Sequence, residues 1–123
     1  MSSYKDLDIY KLSRRLSIEV HKMTLTLPKY EMYEQGSQVR RSSKSIKDTI
    51  VEGYGRRRYK TEFVRYLIFA QASCDECTEQ LETINEIHFN NIELNSLVEE
   101  YNVLGKKINN FIKYVESNWN TNQ

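Results

Sequence analysis

Apolar residues recur at alternating steps of four and three through two long stretches of this chain. Phe63, Leu67, Ala70, Cys74, Cys77, Leu81 and Ile84, continued by His88, form one series; Leu94, Leu97, Tyr101, Leu104, Ile108, Phe111 and Val115 form the other. Only a helix returns such positions to a single face, because a strand would alternate at two. Alternation sustained over this length means a helix packed at a shallow angle along its whole extent, as in bundles and coiled coils.

The rest of the chain repeats the theme more weakly. Ile9, Leu12, Leu16, Val20, Met23 and Leu27 share one helical face, with Asp6 or Asp8 placed to cap its amino end or meet its dipole. Pro28 stops this helix near Leu27. Val39, Ser43, Ile46, Ile50 and Gly53 mark a shorter helix whose small side chains admit a close neighbour, and Gly53 and Gly55 end it. Thr61 is placed to cap the third helix, and Asn90-Asn91 to break the chain before the fourth. The spacing predicts helices over about 6–27, 36–53, 61–88 and 92–116 within a single domain, 1–123. Short joints make successive helices antiparallel neighbours, so the expected fold is all-α, an up-down-up-down four-helix bundle. One Pro and four Gly are too few for the turns of an all-β chain. No apolar run reaches the roughly 20 residues that span a bilayer, and the first residues lack a signal peptide's apolar stretch, so a cytoplasmic location is expected.

The net charge of +1 conceals a strong segregation. Residues 36–60 carry +6 and residues 61–104 carry −8. Such unevenness bears on partners and self-assembly, not on fold. Nine Tyr, one Trp and four Phe also exceed what one four-helix core can hold with its hydroxyls satisfied. Some of Tyr10, Tyr54, Tyr59, Tyr66, Tyr101 and Tyr114 therefore belong at edges or between subunits, which favours a homo-oligomer.

Motifs for catalysis are weak. Cys74-Asp-Glu-Cys77 lies mid-helix in the apolar stripe, whereas a redox pair sits at a helix amino terminus where the dipole lowers the thiol pKa. Zinc would need two further ligands, and His21 and His88 have no paired spacing. The two thiols read as small core residues. Glu76, Glu79, Glu82 and Glu86 have no Glu-x-x-His partner of the kind di-iron bundles use, and read as a solvated acidic face. Ser42, Ser43 and Ser45 have no neighbouring His to activate them, and Glu52-Gly-Tyr-Gly-Arg56 lacks the spacing of a phosphate-binding loop. No enzymatic activity, metal or cofactor is expected.

The basic region carries the functional content. Arg40, Lys44 and Lys47 share one helical stripe, Arg41 lies beside it, and Arg56, Arg57, Arg58 and Lys60 follow with Tyr59 among them. Cations interleaved with tyrosine neutralise phosphates and offer stacking surfaces for unpaired bases. The alternative is that these charges pair with the acidic third helix, within a subunit or across an interface, and Arg41 in particular is within reach of an internal partner in Glu76 or Glu52.

Leu27-Pro-Lys29, Glu31, Gln38-Val-Arg-Arg41, Ser45-Ile46, Ile50-Val-Glu-Gly53, Gly55-Arg56, Glu62-Phe63, Arg65-Tyr-Leu67, Ala70, Ser73 and Glu76 occur in an order that resembles a known family. It is the S23 ribosomal protein family, encoded within intervening sequences of bacterial 23S rRNA genes, which includes the accessory variability protein of diversity-generating retroelements. The resemblance covers roughly 5–115. Thr49 stands where the family commonly has Asn, and Ser42 where it commonly has Ala. The resemblance implies a four-helix bundle assembling as a ring-shaped homopentamer without known enzymatic activity. For the retroelement branch it implies a basic pentamer that engages reverse transcriptase and template RNA; for the rRNA-insert branch, association with RNA-encoding loci. A sequence pI near 7.7 is low for a constitutive ribosomal protein.

The expected function is an oligomeric protein that binds RNA, or else DNA, through phosphate contacts from Arg40, Arg41, Lys44, Lys47, Arg56, Arg57, Arg58 and Lys60. The alternative is a protein-interaction scaffold, an accessory subunit for a reverse transcriptase or other polymerase, with nucleic acid contacted indirectly.

Overall fold

A computed structural model describes residues 3–119. A single 3-10 turn, Tyr4–Asp6, leads into α1 (Asp8–Thr24), the short α2 (Lys29–Met32), α3 (Gln35–Gly55), α4 (Lys60–His88) and α5 (Asn95–Asn118). The four long helices form an all-α bundle, and no strand occurs among the described residues. In it α3 touches α1 and α4, and α5 touches α4 and α1. Among the described residues no helix is long and apolar enough to cross a membrane.

The apolar stripes become the core. Leu16 and Val20 from α1, Ile46 and Ile50 from α3, Phe63, Leu67, Leu81 and Ile84 from α4, and Leu104 and Ile108 from α5 are all fully buried. Cys74 and Cys77 lie in this core as free thiols. Leu12, Met23, Leu97 and Phe111 pack on its margin and stay half-buried. Along α3 and α4 the joining contacts pair rising residue numbers with falling ones. Ser42 meets Gln80, Ser45 meets Ser73, and a side chain at Gly53 would meet Tyr66.

Helix ends depart from the sequence reading in informative ways. Helix α1 stops at Thr24, three residues short of Leu27, because Thr24, Thr26 and Leu27 turn onto local carbonyls before Pro28 opens α2. Thr61 lies inside α4, whose amino-terminal flank is Tyr59. Asp8, not Asp6, occupies the first turn of α1, where its charge meets the dipole.

Gly53 and Gly55 do not take left-handed backbone; the positive φ angles belong to Asn90 (54°) and Asn91 (66°), at the α4–α5 joint. That joint is tied by the buried Asn85, whose Nδ2 donates to Asn95 Oδ1 at 3.0 Å while its Oδ1 accepts from Leu94 N at 3.2 Å. The value of Gly53 is space instead. A Cβ there would lie 2.9 Å from Tyr66 Cβ, an atom rooted in the α4 backbone, so α3 and α4 would have to part. A Cβ on Gly55 meets nothing within 4 Å. Gly53→Ala is therefore expected to lose about 1–2 kcal/mol through overpacking despite its better helix propensity. Gly55→Ala should gain about 0.5–1 kcal/mol. Urea midpoints of the two variants against the parent check both signs.

Candidate nucleic-acid interface

The eight basic residues of α3, the following joint and the start of α4 divide by what they touch. Arg40 turns inward. Its Nη1 donates to Thr24 Oγ1 at 2.8 Å and its Nη2 to the Met32 carbonyl at 3.1 Å, so it clamps the α1–α3 connection. Arg57 lies over the Tyr54 ring at 4.0 Å and donates to the Tyr54 carbonyl at 2.9 Å, which satisfies the carboxyl end of α3. Lys60 does the same for α5, donating to the Glu116 carbonyl at 3.1 Å. Arg56 sits between Glu52 at 3.4 Å and Glu62 at 3.3 Å, above the Tyr66 ring at 4.7 Å.

The other four are differently placed. Arg41, Lys44 and Arg58 are exposed and enter no ion pair among the described residues. Arg41 borders a groove between α3 and α4 that also holds Glu76, with no ion pair closed between them. Lys47 contacts its chain neighbour Asp48 at 2.7 Å. Arg58 lies beside the Tyr59 ring, 5.7 Å from its centroid. Lys44 and Lys47 face α1, away from the acidic side of α4.

That placement builds a surface. Between α1 and α3 runs a groove lined from α1 by Arg14, Ser17, Ile18, His21 and Lys22, and from α3 by Lys44 and Lys47, with no carboxylate among these side chains. The opposite edge of the bundle, between α4 and α5, carries Asp75, Glu79 and Glu82 with Lys106. Glu76, Glu79, Glu82 and Glu86 are all exposed. The segregation along the sequence thus survives as segregation across the molecule. The α1 share of the groove was not among the sequence candidates, since residues 1–35 nearly balance in charge. A signal was present, however: Arg14, Ile18 and Lys22 recur at four-residue steps on the face of α1 beside its apolar stripe.

Chemistry elsewhere is sparse. Among the described residues no three His, Cys, Asp or Glu side chains come together in a way that could hold a metal ion. Burial pushes the Cys74 thiol up from 9.0 to about 12, with the neighbouring Cys77 and Asp75 adding to it. Burial likewise raises Cys77 from 9.0 to about 11. Buried thiols with such values are poor nucleophiles. Because both folded values lie above the unfolded one, the thiols' contribution to stability is intact below pH 9.0 and is lost as pH rises toward 11 and 12. The melting temperature is expected to fall over that range, and a Cys74→Ala/Cys77→Ala chain, though less stable at neutral pH, should show a shallower fall.

Tyr101 is fully buried beside these thiols, with the Cys77 thiol as its polar neighbour. His88, read from sequence as a helix-end residue, is only 10 % exposed, with Nε2 2.8 Å from the Glu31 carboxylate. That pair joins α2 to the end of α4 and lies away from the basic groove.

No curated protein matches the chain. The profile of the 23S rRNA-intervening sequence protein family matches residues 5–110, nearly the whole bundle. A four-helix chain matched over that extent belongs to the 23S rRNA-intervening sequence protein family.

Proposed function

We propose that this chain is a non-enzymatic RNA-binding protein of the cytoplasm, a bundle of up-down-up-down topology that works as a ring-shaped homopentamer. The observation that carries the reading is the set of cations on α3 and its joint left without carboxylate partners while an acidic helix packs alongside. If the +6 segment existed to neutralise the −8 segment, Lys44, Arg41 and Arg58 would reach α4; in the described residues only Arg56 does, through Glu62. Free surface cations attract phosphates, with strong salt dependence and little base reading. Membership in a family tied to ribosomal RNA genes favours RNA over DNA.

Arg41, Lys44 and Arg58 are the contacting residues in this reading, with Lys47 beside them although it is paired to Asp48. Arg40, Arg56, Arg57 and Lys60 already serve helix ends and ion pairs and act by shaping the surface. Reversing Arg41, Lys44 and Arg58 together to Glu is expected to weaken RNA binding at least about tenfold at moderate salt while leaving the helical signal unchanged. Unchanged affinity would remove these residues from the interface.

A second reading, a scaffold for a polymerase or other protein, is favoured by a separate patch. Arg56 lies over Tyr66, Tyr66 meets Phe69 edge-on at 5.5 Å, and Arg65 lies over Phe69 at 5.4 Å. Arginine and aromatic side chains together are the composition of interface hot spots. In the proposed pentamer this patch serves subunit contact, and a protein partner that stays bound after nuclease treatment would favour the scaffold instead.

A further inference from the structure

The geometry points to the groove between α1 and α3 as the track of a single RNA strand, held through its phosphates by Arg14, Lys22 and Lys44. This inference rests on the reading above that the ligand is RNA, and adds to it a site to which α1 contributes as much as α3.

Three observations lead there. First, Arg14, Lys22 and Lys44 are exposed and enter no ion pair among the described residues, while Lys47 extends the same wall. Cations left unpaired beside one another repel, and that repulsion is relieved only by an anion. Second, no carboxylate lines the groove, whereas each of the other grooves described holds at least one: Asp6 and Asp8, Asp75 with Glu79 and Glu82, or Glu76. Those carboxylates disfavour a polyanion in the other grooves, whereas this trough offers it cations from both helices. Third, Ile18 is 40 % exposed within the groove, an apolar patch that a base or ribose can cover.

The shape selects a single strand. Helices packed with axes about 8–10 Å apart put the cations of α1 and α3 on the two rims of one narrow surface groove, where a single flexible backbone can meet both. An A-form duplex would present a broad, shallow minor groove to this edge and reach only the rim. Recognition along such a track is by charge and stacking, so sequence preference should be weak.

Binding of a fluorescein-labelled single-stranded oligouridylate to the full chain, followed by anisotropy over a potassium chloride series, tests this. Duplex RNA and oligothymidylate of the same length run in parallel. Two variants are compared: Arg14→Gln/Lys22→Gln/Lys44→Gln in the groove, and Lys106→Gln/Lys107→Gln/Lys113→Gln on α5, outside it. All substituted side chains are exposed, and circular dichroism verifies that each variant is folded. The groove variant is expected to lose at least about tenfold in affinity, and its salt slope should fall by about 2, from three phosphate contacts at roughly 0.7 each. The outer variant should stay within about threefold of the parent.

A groove variant that binds as the parent does overturns the groove assignment and leaves RNA binding standing. Duplex RNA bound as tightly as the single strand overturns the single-strand track, and tighter binding of oligothymidylate than of oligouridylate overturns the choice of RNA. A groove variant whose oligomeric mass drops along with its affinity would show that the groove seats the acidic edge of a second copy, which also overturns the proposal. A parent chain that binds no RNA at low salt defeats the functional reading and this inference together.

Discussion

Replacing Phe63 with alanine is expected to lower the folding free energy by about 3–5 kcal/mol, among the largest losses available to a single substitution here. Phe63 is fully buried and sits where α3, α4 and α5 converge. Its ring meets Tyr54 at 6.1 Å, Phe111 at 5.9 Å and Trp119 at 5.1 Å, each close to edge-on. The substitution removes the central ring, so three aromatic pairs are lost along with the buried area, and the helices cannot collapse without moving the Gly53–Tyr66 contact. Phe63→Leu keeps most of the volume and should cost about 1.5 kcal/mol or less.

Consequences reach the surface, because Trp119 Nε1 donates to the Arg57 carbonyl at 3.1 Å and so ties the α3–α4 joint to the same cluster. The Phe63→Ala chain should therefore expose the joint to proteolysis near Arg56–Arg58 before the bundle melts. Urea unfolding at fixed protein concentration checks the stability, since an oligomer's midpoint moves with concentration. A loss below about 1 kcal/mol would mean that the cluster is not the keystone of that end.

At the other end of the bundle, His88→Ala is expected to cost about 1–3 kcal/mol, and Glu31→Ala less. The two side chains are 10 % and 7 % exposed and lie 2.8 Å apart. Removing His88 leaves a carboxylate buried with only the long contacts to Gln35, at 3.4 and 3.5 Å. Removing Glu31 leaves a ring that packs against Tyr30, whose centroid lies 6.4 Å away, and buries less polar surface than a carboxylate. The asymmetry distinguishes a buried hydrogen-bonded carboxylate from simple loss of packing, which would make the two substitutions similar. A double-mutant cycle on urea midpoints reads the coupling directly, and a coupling near zero would contradict the pairing.

Much of the bundle was legible because packing at a shallow angle imposes a period, and the period is written in single residues such as Leu67, Cys74, Leu81, Leu104 and Ile108. The thiols' place in the core followed from the same stripe. What escaped depended on pairs distant in sequence. Glu31 and His88 lie 57 residues apart, and nothing local to either marks a partner. Gly53 looked like a helix stop because glycine frees the backbone, whereas its actual use is the missing side chain opposite Tyr66.

The basic region was visible as a charge run, but a run does not reveal which cations are already engaged. Arg57 and Lys60 serve helix carbonyls, and Arg40 is spent on Thr24 and the Met32 carbonyl. Conversely, Arg14 and Lys22 vanish into a segment whose charges nearly cancel when counted along the chain. On the helix they separate from those acids, because position on a face, and not neighbourhood in sequence, decides what a charge meets.

The most direct test of RNA binding through phosphates is the affinity of the purified parent chain for single-stranded RNA across a salt series, with oligomeric mass recorded in the same buffers. The account predicts a pentamer that binds at low salt and loses affinity steeply, with a log–log slope of about −2 or steeper. A folded, oligomeric protein that binds no RNA at low salt, or whose affinity is indifferent to salt, would contradict it.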